Sequence, residues 1–272
     1  MPLTIRLREK TSIPVEVDSI QLETVREQSV DDVKATLVQY GNKALPLGEF
    51  FDVLGSASDN EIVWEGDCSH VKMIGTYLSS GRVRVEGNAG MHLGAEMTGG
   101  EIVVNGNAGD WVGAEMHGGR IHVHGHAGHL AGAVYRGGHR GMTGGEILID
   151  GDAGNEIGHS MRRGLIAVGG RSGDVPGISM IAGTILLFGQ SGIRPGPGMK
   201  RGTIAFFDGP NAPDMLPTFR SAGVCQPVFM RLYLRHLKSL GFAVPDDALN
   251  LNWQRFHGDF LELGKGEILV AA

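Results

Sequence analysis

Cysteine is nearly missing from this sequence: Cys68 and Cys225 are the two present, and no C-x-x-C pair exists. That excludes a thiolate zinc site or an iron–sulfur cluster built from this chain alone. It also fits a reduced compartment better than a disulfide framework. Long apolar runs are missing too. No stretch approaches ~18 apolar residues, so nothing reads as a membrane span. The start, Met1-Pro2-Leu3-Thr4-Ile5-Arg6-Leu7-Arg8, is charged and has no apolar signal core. The expected location is therefore the cytoplasm. Concentrated positive charge is absent as well. The formal net charge is −6, made up of −4 over residues 1–60, −2 over 61–209 and 0 over 210–272. Binding to a phosphate backbone needs a basic patch, so a nucleic-acid role is not expected. No G-x-S-x-G elbow and no G-x-x-x-x-G-K-[ST] loop occurs. Paired acids are sparse in the middle of the chain, which leaves pectate-lyase-like calcium chemistry without ligands.

Glycine is what the sequence has in excess: 44 of 272 residues, against an average near ~7%. The glycines are periodic. Those preceding each apolar segment are Gly81, Gly100, Gly119, Gly145, Gly164, Gly183 and Gly202, spaced 19, 19, 26, 19, 19 and 19. The single 26 marks one seven-residue insertion. After each such glycine the apolar residues alternate: Val83/Val85, Ile102/Val104, Ile121/Val123, Ile147/Ile149, Ile166/Val168, Ile185/Leu187. That alternation predicts a half-buried strand in every unit. Three further glycines and one methionine follow at fixed offsets. The methionines are Met97, Met116, Met142, Met161, Met180 and Met199, read as one core-filling side chain per unit.

One unit of this length cannot fold alone, because fixing its backbone costs about 1–2 kcal/mol per residue. Stacking resolves this: equivalent strands pair in parallel, and alternate side chains form continuous inward ladders. The glycines would occupy corners where φ is positive or backbones approach closely. The predicted fold class is all-β: a parallel β-helix, or solenoid, with 19-residue coils over residues 61–209. Residues 1–60 are expected to form a small N-terminal cap, with strands at Leu3–Leu7 and Ile13–Val17 and a short helix at Val30–Leu37. Residues 210–272 form a C-terminal tail with a helix at 227–240, whose apolar face is read as Phe229, Leu232, Tyr233 and Leu237. Trp253–Leu263 reads as a second, weaker amphipathic stretch. The tail serves as a cap, as a docking arm, or as both.

The unit G-G-x-I-x-V-x-G-x-A-G-x-x-x-G-x-x-M, seen from Gly99 to Met116, resembles the glycine-rich family shared by the C-terminal domain of glutamate synthase and by the C subunit of formylmethanofuran dehydrogenase. The resemblance implies that the β-helix is right-handed. The sequel is similar to the tail of that C subunit: Pro217-Thr218-Phe219-Arg220, then Pro227 to Leu234, then Gly258-Asp259-Phe260 and Leu263 to Leu269. So is the insertion ending Arg140-Gly141-Met142-Thr143-Gly144-Gly145. It implies a non-catalytic scaffold subunit of a C1-transfer complex. That complex would convert formyl-tetrahydromethanopterin, via formylmethanofuran, to formate. The alternative within the family is the C subunit of a CO2-reducing formylmethanofuran dehydrogenase. Implied partners are a formyltransferase, an amidohydrolase-like subunit and a B-type subunit. The methanofuran-type carrier belongs to the complex, and no cofactor is expected on this chain.

Two clusters are candidates for chemistry. His117, His122, His124, His126 and His129, with His92 and His139 nearby, offer imidazoles in number. Neighbouring units present Val103/Asn105 and Leu148/Asp150 beside His122/His124, which does not read as a matching ligand set. No metal site is expected, and a solvated or interface face is. Arg136, Arg140, Arg162, Arg163, Lys200 and Arg201 form the second cluster. Methanofuran-type carriers bear glutamyl tails, which a basic edge would attract; rim ion pairs to partner subunits are the simpler account. No catalytic residue is expected. A stand-alone β-helical zinc enzyme is the reading from another class, disfavoured because left-handed hexapeptide β-helices repeat every 18 residues. A self-assembling filament is disfavoured by the proline-punctuated flanks.

Overall fold

The computed structural model describes residues 2–272. Strands dominate, with three α-helices and three short 3-10 helices among the described residues. The strands form one sheet of 13 and one of 4.

The large sheet is built on the repeat. Strands Glu61–Glu65, Arg82–Val85, Glu101–Val104, Arg120–Val123, Glu146–Ile149, Leu165–Val168, Thr184–Leu187 and Arg201–Phe206 follow one another in parallel. The register never slips: Ile62, Val83, Ile102, Ile121, Ile147, Ile166, Ile185 and Ile204 form one continuous row. The seven-residue insertion does not disturb it, since Ile121 still pairs with Ile147. A second ladder of parallel bridges runs alongside, through Cys68, Ala89, Ala108, Ala127, Ala153, Ser172 and Ser191. A one-residue slip would exchange the inner and outer faces, so the apolar row specifies the pairing.

The methionines of all six units are fully buried. Gly119 shows why glycine recurs before each strand. Its φ is +81°, and an added Cβ would lie 2.6 Å from Met97 Cε and 2.7 Å from the Gly99 carbonyl. The corners hold a feature that the glycine pattern does not announce. Met73, His92, Trp111, Leu130, Glu156 and Val175 also have positive φ, between 52° and 66°. Each of these amides donates a hydrogen bond to a carbonyl of the next unit, at 2.8–3.0 Å. A non-glycine residue in this region costs roughly 1–2 kcal/mol, and the inter-unit hydrogen bonds hold it there.

Both flanks extend the large sheet. Leu3–Leu7 adds in parallel to Glu61–Glu65, and Phe51–Leu54 adds antiparallel beyond it. The short helix is Val30–Ala35, started by a capping box between Ser29 and Asp32. At the far end Lys265–Ala271 adds in parallel to Arg201–Phe206, followed by antiparallel Trp253–Gly258 and then Arg220–Cys225. Within the amphipathic stretch read over Trp253–Leu263, Trp253–Gly258 is thus a strand. Its pairing with Lys265–Ala271 adds the next rung of the sheet.

The C-terminal helix is Val228–Ser239, ended by Gly241 at φ +82°. It lies against the outer face of the sheet. Met230, Leu234 and Leu237 are buried there with Phe242, Ala248 and Trp253, against Leu148, Leu165, Ala167, Leu186, Ala205 and Leu269. The buried stripe therefore differs from the expected one. Leu237 belongs to it, Phe229 and Tyr233 flank it, and Leu232 is 64% exposed. Spacings of four and three along Met230, Leu234 and Leu237 give the contacting row.

Candidate functional site

The helix completes a groove that the repeat only begins. Arg162, Arg163, Lys200 and Arg201 come from equivalent corners of two units and line one cleft of about 530 Å³ with Ile181 and Ala182. Tyr233 and Leu263 close it from the tail. The Tyr233 hydroxyl accepts a hydrogen bond from Thr184 Oγ1 at 3.2 Å, which fixes the ring over the strand. Lys200 has a distant carboxylate partner, Glu262, at 3.9 Å. Among the described residues, Arg162, Arg163 and Arg201 have no acidic partner within 4.0 Å. A cleft with four cations and one carboxylate nearby is suited to an anion. Arg136 and Arg140 do not join it. Arg136 lines a separate recess of about 280 Å³ with Trp111, Tyr135, Glu156 and His159, and Arg140 lines neither. The insertion carries both away from the corner shared by the other four. Tyr233 and Leu263 escaped sequence reasoning because no local signal says that the tail folds back onto this corner.

The histidines divide into three structural groups. His126 and His129 act as backbone acceptors: their Nδ1 atoms receive the Asp152 and Asn155 amides, both at 2.8 Å. Asn107 and Asp110 do the same one unit earlier, accepting the amides of His126 and His129 at 2.8 and 2.7 Å. Asp152 and Asn155 do so one unit later, for Arg171 and Asp174. These histidines are rungs of a side-chain ladder in which imidazole replaces a carboxamide or carboxylate. His117 bonds Thr143 Oγ1 at 2.6 Å, and His92 bonds the Tyr135 hydroxyl at 3.0 Å while stacking on Trp111. His139 is exposed in the insertion.

His122 and His124 form the third group, and here the expectation is corrected. His122 is not solvated. It is only 7% exposed, with Phe242 of the tail beside its ring. Asp150, across the strand pair, takes Nε2 of His122 at 2.9 Å and Nδ1 of His124 at 2.7 Å on its two oxygens. Burial pushes the Asp150 carboxyl up, and the two imidazole hydrogen bonds outweigh it, leaving it below the usual carboxylate range. The three side chains do make a set, because strand pairing aligns Val123 with Ile149 and so puts Asp150 next to His124.

Both cysteines are free thiols. Burial, followed by the neighbouring Asp67 charge, pushes the Cys68 thiol up to about 12, an inert group. Among the described residues no helix is long and apolar enough to cross a membrane.

Compared with known proteins, residues 78–215 match the model of the GXGXG motif family. The chain belongs to the GXGXG family. Among curated relatives, the C subunit of the tungsten-containing formylmethanofuran dehydrogenase 2 of Methanothermobacter marburgensis is 39% identical over 92 residues, 32% of this chain and 34% of that protein. The C subunit of the molybdenum-containing formylmethanofuran dehydrogenase 1 of the same organism is 42% identical over 83 residues, 30% of this chain and 21% of that protein. The chain thus spans about a third or less of the length of these relatives. The GXGXG chain is also similar to a solved structure over nearly its whole length. A chain in the crystal structure of the formyltransferase/hydrolase complex from Methylorubrum extorquens, in complex with methylofuran, superposes with a TM-score of 0.90 at 35% identity. The match covers 99% of each chain.

Proposed function

We propose that this chain is a non-catalytic scaffold subunit of a cytoplasmic C1-transfer complex. That complex would carry a formyl group from formyl-tetrahydromethanopterin to a methanofuran-type carrier and release it as formate. The observation that carries the reading is the likeness over 99% of both chains to a component of the formyltransferase/hydrolase complex, flanks included. The curated relatives favour a second reading, the C subunit of a CO2-reducing formylmethanofuran dehydrogenase. Their alignments cover only about a third of this chain, whereas the structural match includes the tail, and the first reading therefore leads.

In this reading residues 61–209 wind as a right-handed parallel β-helix between an N-terminal cap, 1–60, and the tail, 210–272. The unbroken parallel register supports that path, and right-handed crossovers are the rule for parallel connections. The outside of the column receives a formyltransferase, an amidohydrolase-like subunit and a B-type subunit, which supply the catalytic residues. The cleft of Arg162, Arg163, Lys200 and Arg201 attracts the anionic tail of the carrier, and Arg136 and Arg140 take no part.

Co-expression with the candidate partners tests the assignment. The expected result is a stable complex that releases formate, with no turnover by the isolated chain. Turnover of a C1 substrate by the isolated chain would overturn it. For the cleft, Arg162→Glu with Arg163→Glu should leave assembly and kcat intact and raise the KM for the carrier roughly tenfold or more. An unchanged KM removes the carrier from this surface.

A further inference from the structure

We propose that His122, His124 and Asp150 bind one divalent transition-metal ion of the zinc class, and that the ion staples the two strands flanking the insertion. Such a site is independent of the carrier cleft and of the host reaction.

The donor set comes first. His122 and His124 are two apart on one strand and so share a face. Asp150 stands beside them on the next strand. Their ligand atoms all lie within 4.8 Å of one another, so the side chains need to draw together by about an ångström for bonds of roughly 2.0–2.2 Å to reach one central ion. Two imidazole nitrogens and one carboxylate oxygen suit zinc, cobalt, nickel or copper, and do not suit calcium or magnesium, which take oxygen shells. Among the described residues, Asp150 has no lysine or arginine partner within 4.0 Å; its partners are the two rings. Neutral rings with ionised Asp150 carry one net negative charge. To ligate through the nitrogens now facing Asp150, each neutral ring shifts its proton to its other nitrogen, with no net proton change. The fourth position faces solvent, since His124 and Asp150 are 43% and 32% exposed along their side chains.

Place supplies the second argument. The equivalent positions are Val103 and Asn105 one unit earlier, and Ala167 and Gly169 one unit later, so the donors converge at this rung. It is also the rung where the connection lengthens from 19 to 26 residues. Two donors precede the insertion and one follows it. The strand ladder fixes the backbone on both sides, through Val123 and Ile149, as a precise site requires. The Phe242 ring lies 6.4 Å from that of His122, tilted by 40°, so the ion would also sit beside the tail.

The test uses the full chain stripped with a chelator and dialysed. Zn2+ alone is titrated by calorimetry, and Co2+ is followed by its visible absorption. One saturable equivalent is expected, with a rise in Tm on zinc addition. His124→Ala and Asp150→Asn are partly exposed positions whose folding circular dichroism can verify, and they should lose that equivalent or weaken it by about 100-fold. His126→Ala should keep it. Absence of saturation at one equivalent overturns the site. So does binding that survives His124→Ala, or that moves with His126→Ala.

Discussion

The outer face of the repeat changes character at the insertion, while the inner face does not. On Arg82–Val85 and Glu101–Val104 the outward positions are charged or partly exposed: Arg84 pairs with Glu86 at 2.9 Å, and Glu101 holds Arg82 and Arg120 at 2.7 and 2.6 Å. On Glu146–Ile149, Leu165–Val168, Thr184–Leu187 and Arg201–Phe206 the same register carries Leu148, Ala167, Leu186 and Ala205, all fully buried under the tail. Inward residues are buried in both regions. Strict alternation therefore describes a strand with one wet face. Once a second layer covers the outside, strands read as continuous apolar runs. The difference also locates the exposed surfaces: the polar early face, and the outward side of the helix, where Val228 and Leu232 are 76% and 64% exposed.

The most direct way to break this comparison is to place one charge at both ends of it. Leu186→Asp puts a carboxylate beneath Leu234 and Phe242 with no partner. The expected loss exceeds ~3 kcal/mol, with release of the tail. Val103→Asp occupies the same register position on the open side and should cost under ~1 kcal/mol. Urea unfolding of both variants measures the ratio. Equal losses would mean that the tail does not stay docked in solution.

The repeat, its interval and the inward residues were legible in the sequence, because glycine corners and period-2 alternation are local consequences of the chain path. The tail's position was not. Its helix was readable from Pro227 and Gly241, but its partners, Leu148 to Ala205, lie as much as 89 residues away from it in the chain. The expected face was accordingly wrong at Leu232. The repeat interval placed Asp150 beside His122 and His124, but not the reach of its side chain: only the side-chain geometry shows Asp150 bonding both rings. The positive-φ positions at Trp111 or Val175 leave no compositional trace, since glycine is not used there.

The inward side offers the converse test. Met97 lies in the open region and Met180 in the covered one, and both are fully buried. Either one changed to alanine should cost about 2–5 kcal/mol, and either changed to leucine less than ~1.5 kcal/mol. Matching values for the two positions would establish that the interior is uniform and that the asymmetry belongs to the outside. A smaller loss at Met97 would instead indicate that the open units relax around the cavity.

The side-chain ladder crosses the boundary and should ignore it. His129→Asn restores the residue type found at Asn155 and should be nearly neutral. His129→Ala leaves the Asn155 amide without its acceptor and should cost about 1 kcal/mol. Equal losses for both substitutions would show that His129 contributes packing and not the hydrogen bond.

The smallest effect belongs to the start of that ladder. Asp67 accepts from Lys10 Nζ at 3.1 Å, Asn88 Nδ2 at 3.2 Å and the Ser69 amide at 3.2 Å. Partial burial pushes its carboxyl up, but these hydrogen bonds outweigh it and hold it at about 2, against an ordinary 3.8. A depressed carboxylate stabilises the fold above its unfolded value and loses that contribution as pH falls through the folded one. Asp67→Asn should therefore be less stable than the parent near neutrality, by no more than ~1 kcal/mol because the Lys10 pair is about half exposed. The gap should close between about pH 4 and pH 2. Melting curves across that window decide the point: a gap that stays constant with pH would mean that Asp67 contributes through its shape, as an acceptor that asparagine fails to replace, and not through its charge.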